Sequence, residues 1–272
     1  MKPAPFDYVR PDSLAEAASL CQQHGSEARV LAGGQSLMAM LNMRLTTPSV
    51  LIDVSGLDEA NFVRADAGHV AIGCTMRQAE LMRWDHLGDQ LPLLKQALPW
   101  VGHAQTRSRG TVCGSIAHAD PSSELPLCLA LLDGEVRITN GASTRTVPGR
   151  SFFNGLLQTA CAEDELITEV RFPRLPEKAK TAFKEMAIRH GDFAIIAVGV
   201  VSKPDGLTLA VGGATDRPEV REWPHVEGSD LDDALNELAW SLDCTSDLHA
   251  PASYRRHLIR TLGKQAVLEA LQ

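Results

Sequence analysis

Apolar residues in the first part of the chain fall into short runs that are separated by glycine, proline or polar residues. Ser13, with a glutamate three residues later, predicts a capped helix that ends at Gly25. The apolar runs at 30–32 and 50–54 predict buried strands on either side of a short helix, residues 36–44. The chain therefore begins as alternating helices and strands.

The middle of the chain predicts two hairpins and one strongly apolar helix. A turn at 66–68 separates two short strand segments, and Asn140–Gly141 separates two longer ones. The run at 125–132 is apolar throughout and predicts a buried helix, and residues 166–172 alternate like a half-buried strand.

A polar stretch with several prolines predicts a domain boundary near residue 176. We expect a first domain over 1–176, with subdomains of about 1–56 and 57–176, and a second domain over 177–272. In the second domain strands precede helices, which predicts an α+β domain with a three-stranded antiparallel sheet and helices. The predicted strands are 183–188, 194–201 and 207–211, a polar loop spans 216–227, and the predicted helices begin at Ser229, Tyr254 and Lys264.

Composition and charge narrow the classes of function. The chain is 44% hydrophobic and 22% charged, as expected for a globular protein, and its net charge of −8 argues against a nucleic-acid partner or an anionic membrane surface. No apolar run is long enough to insert into a membrane, and no secretory leader is evident, so we expect a cytoplasmic location. The six cysteines form no CxxC pair, which predicts no metal site and no disulfide framework.

Two glycine-containing stretches are candidates for an anion site. In residues 32–37, AGGQSL follows a predicted strand and precedes a helix, so that backbone N–H groups become available to a negative charge. In residues 110–124 small and hydroxyl-bearing residues recur before an apolar helix. The two loops are placed to hold one diphosphate from both sides, or else they are tight turns packed on a core.

Several common catalytic patterns are missing from the sequence. There is no GxGxxG after the first strand, no GxxxxGK[ST], no HExxH and no GxSxG. A Rossmann dinucleotide fold, a P-loop enzyme, a metallohydrolase and a serine hydrolase of the GxSxG type are therefore poorly supported, and we assign no catalytic residue.

The motifs together resemble those of a known family. AGGQSL at 32–37, TVCGSIAHADPSSELP at 111–126, DELITEVRFP at 164–173 and AFKEMAIRHGDFA at 182–194 are similar to the FAD-binding medium subunit of molybdenum hydroxylases. That family includes relatives of carbon monoxide dehydrogenase, xanthine dehydrogenase and aldehyde oxidase. The resemblance implies a two-domain FAD-binding fold of the vanillyl-alcohol oxidase and p-cresol methylhydroxylase type, followed by the small α+β C-terminal domain.

The resemblance also implies which residues bind non-covalent FAD. Residues of the first loop would hold the diphosphate, those of the second would close the other side, and Ile167 and Lys184 would lie at the flavin ring. Three positions differ from the family pattern: Cys113 stands where many relatives have glycine, Arg29 replaces the lysine of some relatives, and Phe193 replaces the tyrosine that some close relatives have near the flavin. The implied binding residues are Arg29, Leu31, Ala32, Gly33, Gly34, Gln35, Ser36, Leu37, Val101, Gly102, Thr106, Gly110, Thr111, Gly114, Ser115, Ala117, His118, Glu124, Ile167 and Lys184.

The function that the resemblance implies is electron transfer. Substrate would be hydroxylated on a large molybdopterin subunit, and electrons would pass through [2Fe–2S] clusters on a small subunit to FAD on this chain and on to an external acceptor. We expect a dimer of such heterotrimers. Two alternatives remain open at this point: a self-sufficient FAD-dependent oxidoreductase, and a non-catalytic nucleotide-binding module.

Several of these residues also have a purely structural interpretation. Ile167 suits the core of a strand, Lys184 suits an exposed strand position, and Glu124 suits the first turn of a helix, where an acid is favoured by the helix dipole. His118 suits a hydrogen-bonded structural role. The structure decides between the two interpretations by where it places each side chain.

Overall fold

The first helix begins at the predicted cap. In the computed structural model, which describes residues 2–272, Ser13 Oγ accepts a hydrogen bond from the Glu16 N–H at 3.1 Å, and Gly25 follows the last turn. This helix packs on a parallel three-stranded sheet in the order β1-β3-β2. The elements are β1 (Asp7–Val9), α1 (Leu14–His24), β2 (Ala28–Leu31), α2 (Leu37–Met43) and β3 (Val50–Asp53).

A second, antiparallel sheet follows, in the order β4-β5-β10-β6-β7. Both predicted hairpins are present in it, and the central strand is the predicted alternating segment. The strands are β4 (Val63–Ala65), β5 (His69–Gly73), β6 (Glu135–Thr139), β7 (Thr144–Pro148) and β10 (Leu166–Pro173), and a two-stranded ribbon comprises β8 (Phe153–Gly155) and β9 (Gln158–Thr159).

Six helices connect the strands of this second sheet. The last of them is buried at every one of its positions: the apolar run 125–132 predicts this, and its first residue, Glu124, is buried as well. The apolar run 91–100 forms only a short helix, because Pro92 is its first residue and Pro99 follows its C-cap. The helices are α3 (Gln78–Met82), α4 (Leu87–Gln90), α5 (Pro92–Ala97), α6 (Ala104–Arg109), α7 (Val112–His118) and α8 (Glu124–Leu132).

The C-terminal region is a four-stranded antiparallel sheet in the order β11-β12-β13-β14, covered on one face by two helices. The prediction of an α+β arrangement is confirmed, but the predicted count of three strands is wrong. The elements are β11 (Lys180–Met186), β12 (Ile196–Lys203), β13 (Gly206–Gly212), β14 (Glu219–Trp223), α9 (Gly228–Ser241) and α10 (Ala252–Leu271).

Two local predictions in this region are corrected by tertiary contacts. The stretch 216–227 contains β14, because its backbone completes the sheet alongside β13 despite its polar composition. The two predicted C-terminal helices are one helix, since Gly263 lies inside α10. A Cβ at Gly263 would lie 2.6 Å from a methyl carbon of Leu235 on α9, so this glycine allows the two helices to approach closely.

The buried apolar side chains form two clusters. One joins the first two sheets with α8 and reaches Phe183, Ala197 and Ala210 on the C-terminal sheet. The other lies wholly within residues 182–270, between the opposite face of that sheet and the helices α9 and α10. The C-terminal sheet is therefore covered on both faces, by α8 on one side and by its own helices on the other.

Within residues 2–272, no helix combines the length and apolar composition that a bilayer crossing needs.

Candidate functional site

A pocket of about 730 Å³ lies where the two glycine-containing loops meet the C-terminal region. This volume falls in the range typical of cofactor sites, ~300–1,000 Å³. All predicted binding residues except Leu31 and Lys184 line it: Arg29, Ala32, Gly33, Gly34, Gln35, Ser36, Leu37, Val101, Gly102, Thr106, Gly110, Thr111, Gly114, Ser115, Ala117, His118, Glu124 and Ile167.

The first glycine loop offers a row of backbone donors. Within residues 2–272, the N–H groups of Gly33, Gly34, Gln35 and Ser36 have no hydrogen-bond acceptor. Gly34 has a φ of +70°, a conformation that glycine adopts without strain. Unpaired N–H groups before a helix are suited to an anion, and no lysine is needed for this.

The two loops are in direct contact. A Cβ at Gly33 would lie 2.4 Å from the carbonyl oxygen of Arg109 and 2.7 Å from Gly110 Cα, so only glycine fits. Gln78 holds the second loop in turn: its N–H donates to the Gly110 carbonyl at 2.9 Å, and its Nε2 donates to the Thr111 carbonyl at 3.3 Å. The close approach that the sequence predicts is therefore present.

The second loop uses most of its own donors internally. Thr111 caps α7, because its Oγ1 accepts a hydrogen bond from the Gly114 N–H at 3.0 Å. The Ser115 N–H donates to the Thr111 carbonyl at 3.2 Å, and the Gly110 N–H donates to the Thr106 carbonyl at 2.7 Å. Of the two loops, the first therefore has the N–H groups that are available to an anion.

The charges near the pocket are mostly engaged within the chain. Arg29 Nη1 donates to the carbonyls of Ser26 and Ala28, and Arg107 Nη1 donates to those of Val101 and Gly102. These guanidinium groups therefore order backbone segments that border the pocket.

Burial changes the protonation of two pocket side chains. It raises the pKa of Glu124 to about 7, so this carboxyl is partly protonated near neutral pH. It also lowers the pKa of His118, which favours the neutral imidazole. Both side chains are able to donate or accept hydrogen bonds at neutral pH, as the hydroxyl groups of a sugar or sugar alcohol require.

Two predicted binding residues lie outside the pocket lining. The side chain of Leu31 packs beneath the first loop, where a Cβ at Gly34 would lie 3.1 Å from Leu31 Cδ1. Lys184 forms an ion pair with Glu269 on α10, because its side chain lies on the opposite face of β11 from the buried Phe183 and Glu185. The prediction that Lys184 lies at the flavin ring is corrected accordingly.

Other pocket residues were not predicted from the sequence. Gln78 lies outside every motif, whereas Glu165 belongs to the DELITEVRFP motif but was not among the predicted binding residues. Arg145 holds Glu165 through two hydrogen bonds that lower the pKa of its carboxyl. Gly191 and Asp192 belong to the AFKEMAIRHGDFA motif, which was the sequence feature that could have identified them as pocket residues. Phe193, which the resemblance places near the flavin, also lines the pocket. The remaining unpredicted lining residues are Val30, Met40, Leu45, Thr46, Val54, Cys74, Cys113, Ser123, Leu157, Cys161 and Leu166.

The residues present fit a dinucleotide cofactor such as FAD. A central row of N–H donors suits a diphosphate, apolar side chains on the walls suit flat rings, and polar side chains suit the linking hydroxyl groups. Within residues 2–272, no group of three or more histidine, cysteine, aspartate or glutamate side chains is arranged to bind a metal ion.

Comparison with known proteins identifies the family. The family model described as the FAD binding domain in molybdopterin dehydrogenase matches residues 4–175. This chain therefore belongs to the FAD-binding subunits of the molybdenum hydroxylase family, as the motifs predicted.

Individual relatives agree with that assignment over nearly the whole chain. The alpha subunit of the 6-hydroxypseudooxynicotine dehydrogenase complex of Paenarthrobacter nicotinovorans is 33% identical, over 100% of this chain and 96% of the relative. The glyceraldehyde dehydrogenase medium chain of Sulfolobus acidocaldarius is 32% identical, over 99% of each chain. A carbon monoxide dehydrogenase structure from Hydrogenophaga pseudoflava superimposes with a TM-score of 0.94 at 27% identity, over 100% of this chain and 99% of the other. The predicted fold class is confirmed.

Proposed function

We propose that the pocket holds FAD with its diphosphate at the N–H groups of residues 33–36, and that the chain is the electron-transfer subunit of a molybdopterin-dependent hydroxylase. The row of four N–H groups without an acceptor carries the proposal for the diphosphate. Membership of the family supplies the identity of the cofactor.

The side chains of this subunit bind and orient the cofactor. Val101, Ile167 and Phe193 are apolar and suit the faces of the flavin and adenine rings, while His118 and Glu124 suit the hydroxyl groups between them. When bound, FAD supplies the redox chemistry, and the protein supplies binding, orientation and electrostatics.

The proposed electron path needs two other subunits. Electrons would arrive from [2Fe–2S] clusters on a small partner, after substrate has been hydroxylated on a large molybdopterin subunit, and would leave to an external acceptor. The names of the relatives, a complex subunit and a medium chain, support a multi-subunit assembly. A dimer of heterotrimers and a cytoplasmic location stay predictions.

Purification of the native assembly tests the proposed partners. We expect two further chains, with molybdenum and iron–sulfur absorbance in addition to the flavin bands. A single chain that carries FAD and oxidises a substrate without partners would contradict the proposed assembly and favour the self-sufficient oxidoreductase.

We also propose that the chain divides functionally near residue 176, as the sequence predicts. The apolar cluster confined to residues 182–270 supports this division. On this proposal the first part binds the diphosphate, and the second part completes the wall of the pocket with residues 191–193.

The substitution Gly33→Ala tests the proposed diphosphate position. Its Cβ would lie 2.4 Å from the Arg109 carbonyl oxygen, so the loops must separate, and we expect FAD affinity to fall about tenfold or more. Gly68→Ala is the matched control, because the nearest atom to its Cβ is a side-chain oxygen at 3.9 Å. Equilibrium titration of both apo variants with FAD measures the effect. Unchanged affinity in a folded Gly33→Ala protein would refute the proposed position.

A further inference from the structure

A buried arginine in the C-terminal region has no assigned role. The Arg255 side chain, on α10, is only 4% exposed. Its Nη1 donates to the Ile195 carbonyl at 2.6 Å and to the Gly213 carbonyl at 2.5 Å, and its Nη2 donates to Asp247 Oδ2 at 2.6 Å. A buried guanidinium is costly unless it is paired, so these three contacts define its position closely.

The first carbonyl, that of Ile195, lies at the base of a loop that reaches the pocket. The Ile195 N–H donates to the Met186 carbonyl at 2.8 Å, which closes the loop 187–194 between β11 and β12. Residues 191–193 of this loop line the pocket. The position of the loop base therefore bears on one wall of the proposed FAD site.

The tip of the same loop rests on the first part of the chain. The His190 ring stacks on Trp100 with centroids 4.9 Å apart. A Cβ at Gly191 would lie 2.5 Å from His103 Nδ1 and 2.8 Å from the Gly102 carbonyl oxygen, so the loop is in close contact there. The loop is thus held at two points, by Arg255 at its base and by Trp100 at its tip.

The second carbonyl, that of Gly213, belongs to a residue that is hydrogen-bonded to another part of the pocket surroundings. The Gly213 N–H donates to the Pro121 carbonyl at 2.8 Å. Pro121 lies in the turn before Ser123 and Glu124, both of which line the pocket. One guanidinium therefore joins the base of the loop 187–194, which continues into the pocket wall, to Gly213, which is hydrogen-bonded to the turn that precedes the wall residues Ser123 and Glu124.

We propose that Arg255 is a positioning residue for FAD: by bridging the carbonyls of Ile195 and Gly213, it holds the loop 187–194 and the turn at Pro121 against the pocket. The inference rests on the proposed FAD site. Arginine suits this role because its planar, forked group reaches two carbonyls and a carboxylate at once, whereas the single ammonium of lysine offers no such fork.

The first test compares Arg255→Lys with Arg256→Met in the native assembly loaded with FAD. Arg256 lies on the same helix but stacks on Trp240, with its Cζ 4.7 Å from the ring centroid. We expect Arg255→Lys to release FAD about tenfold faster and to increase hydrogen exchange in residues 187–194, while the control matches the wild type.

A second variant separates positioning from general destabilisation. His190→Ala removes the stacking at the loop tip and leaves the C-terminal core intact. If Arg255 acts through the loop, His190→Ala will also accelerate FAD release, and the double variant will be no faster than the faster single variant. Rates that multiply in the double variant would overturn the proposal, as would an unchanged rate in folded Arg255→Lys.

A milder variant decides the matter if Arg255→Lys does not fold. Asp247 is 44% exposed, so Asp247→Asn weakens the hold on Arg255 without burying a new group. Faster FAD release and greater exchange in 187–194 would support the proposal, and wild-type behaviour in both would refute it. A wild-type assembly without FAD would instead refute the proposed function itself, so the two failures are distinguishable.

Discussion

In the loop at 33–36, four successive N–H groups have no acceptor within residues 2–272, whereas in the stretch 110–115 the N–H groups of Gly110, Val112, Gly114 and Ser115 are all donated within the chain. Both stretches are rich in small residues, and each lies at the start of a helix, α2 or α7, so their sequences suggest one role. The structure gives them two. The first presents donors to the pocket, and the second is a rigid surface against which Gly33 packs.

The difference arises from hydroxyl placement. Thr111 stands at the N-cap of α7, where its side chain satisfies the Gly114 N–H. Ser36 stands at the equivalent position of α2, but its side chain makes no capping hydrogen bond. A cap that closes on its own helix removes donors from a ligand, so small-residue content alone is a poor guide to an anion site.

The two regions also differ in charge, and this difference gives the largest predicted effect, on the pH dependence of stability. The helix α2 has no acidic residue, whereas α8 begins with the buried Glu124, and the nearby Glu185 is buried with no hydrogen-bond partner for its carboxyl among the described residues. Burial, with the charge of Glu124, raises the pKa of Glu185 from 4.5 to about 9. Glu185 therefore carries a proton at neutral pH in the folded chain and loses it in the unfolded chain.

The free energy of unfolding should consequently fall as pH rises from about 4.5 to about 9, by about 3 kcal/mol at pH 7 from this group. Glu185→Gln mimics the protonated side chain and should remove this part of the pH dependence. Denaturant unfolding of the apo chain at several pH values measures it, with the exposed Glu177→Gln as control. The same slope in both variants would contradict the prediction.

The next prediction removes one donor from the first loop. Ser36 has φ −90° and ψ −46°, a helical conformation that proline reaches with a shift of about 25° in φ, and its N–H has no acceptor in the described chain. Ser36→Pro should therefore weaken FAD binding about thirtyfold, or ~2 kcal/mol, with little change in apo stability. Ser36→Ala keeps the N–H and serves as the control. FAD titration of both variants distinguishes them, and equal affinities would show that this N–H binds no phosphate.

The smallest effect is predicted for the second loop. Thr111→Val removes the cap of α7 and leaves the Gly114 N–H unsatisfied, so the apo chain should lose about 1 kcal/mol of stability. FAD affinity should change less than about threefold. The exposed Thr146→Val is the control in denaturant unfolding. A large loss of FAD affinity with unchanged stability would reverse the roles assigned to the two loops.

Local chemistry was enough to predict much of the fold and the site. The cap at Ser13, the turn at Asn140–Gly141 and the buried helix after Ser123 depend on neighbours in sequence, and all three are present. The two glycine loops are also recognisable as a candidate anion site from neighbouring residues alone. The family motifs then extended the prediction to His118 and Ile167, which line the pocket.

The remaining errors concern what distant residues do. The family resemblance places Lys184 at the pocket, but Lys184 lies on the opposite face of β11 from the buried Phe183 and Glu185 and pairs with Glu269. The helix α10 continues through Gly263 because Leu235, 28 positions earlier, occupies the space beside it. In both cases the deciding partner, Glu269 for Lys184 and Leu235 for Gly263, lies far away in the sequence and is brought close only by the tertiary fold.

The most direct test of the account is a structure of the native assembly with FAD bound, at a resolution that defines the diphosphate. We expect phosphate oxygens about 2.7–3.2 Å from the backbone nitrogens of residues 33–36. A diphosphate bound instead by the N–H groups of residues 110–115, or outside this pocket, would contradict it.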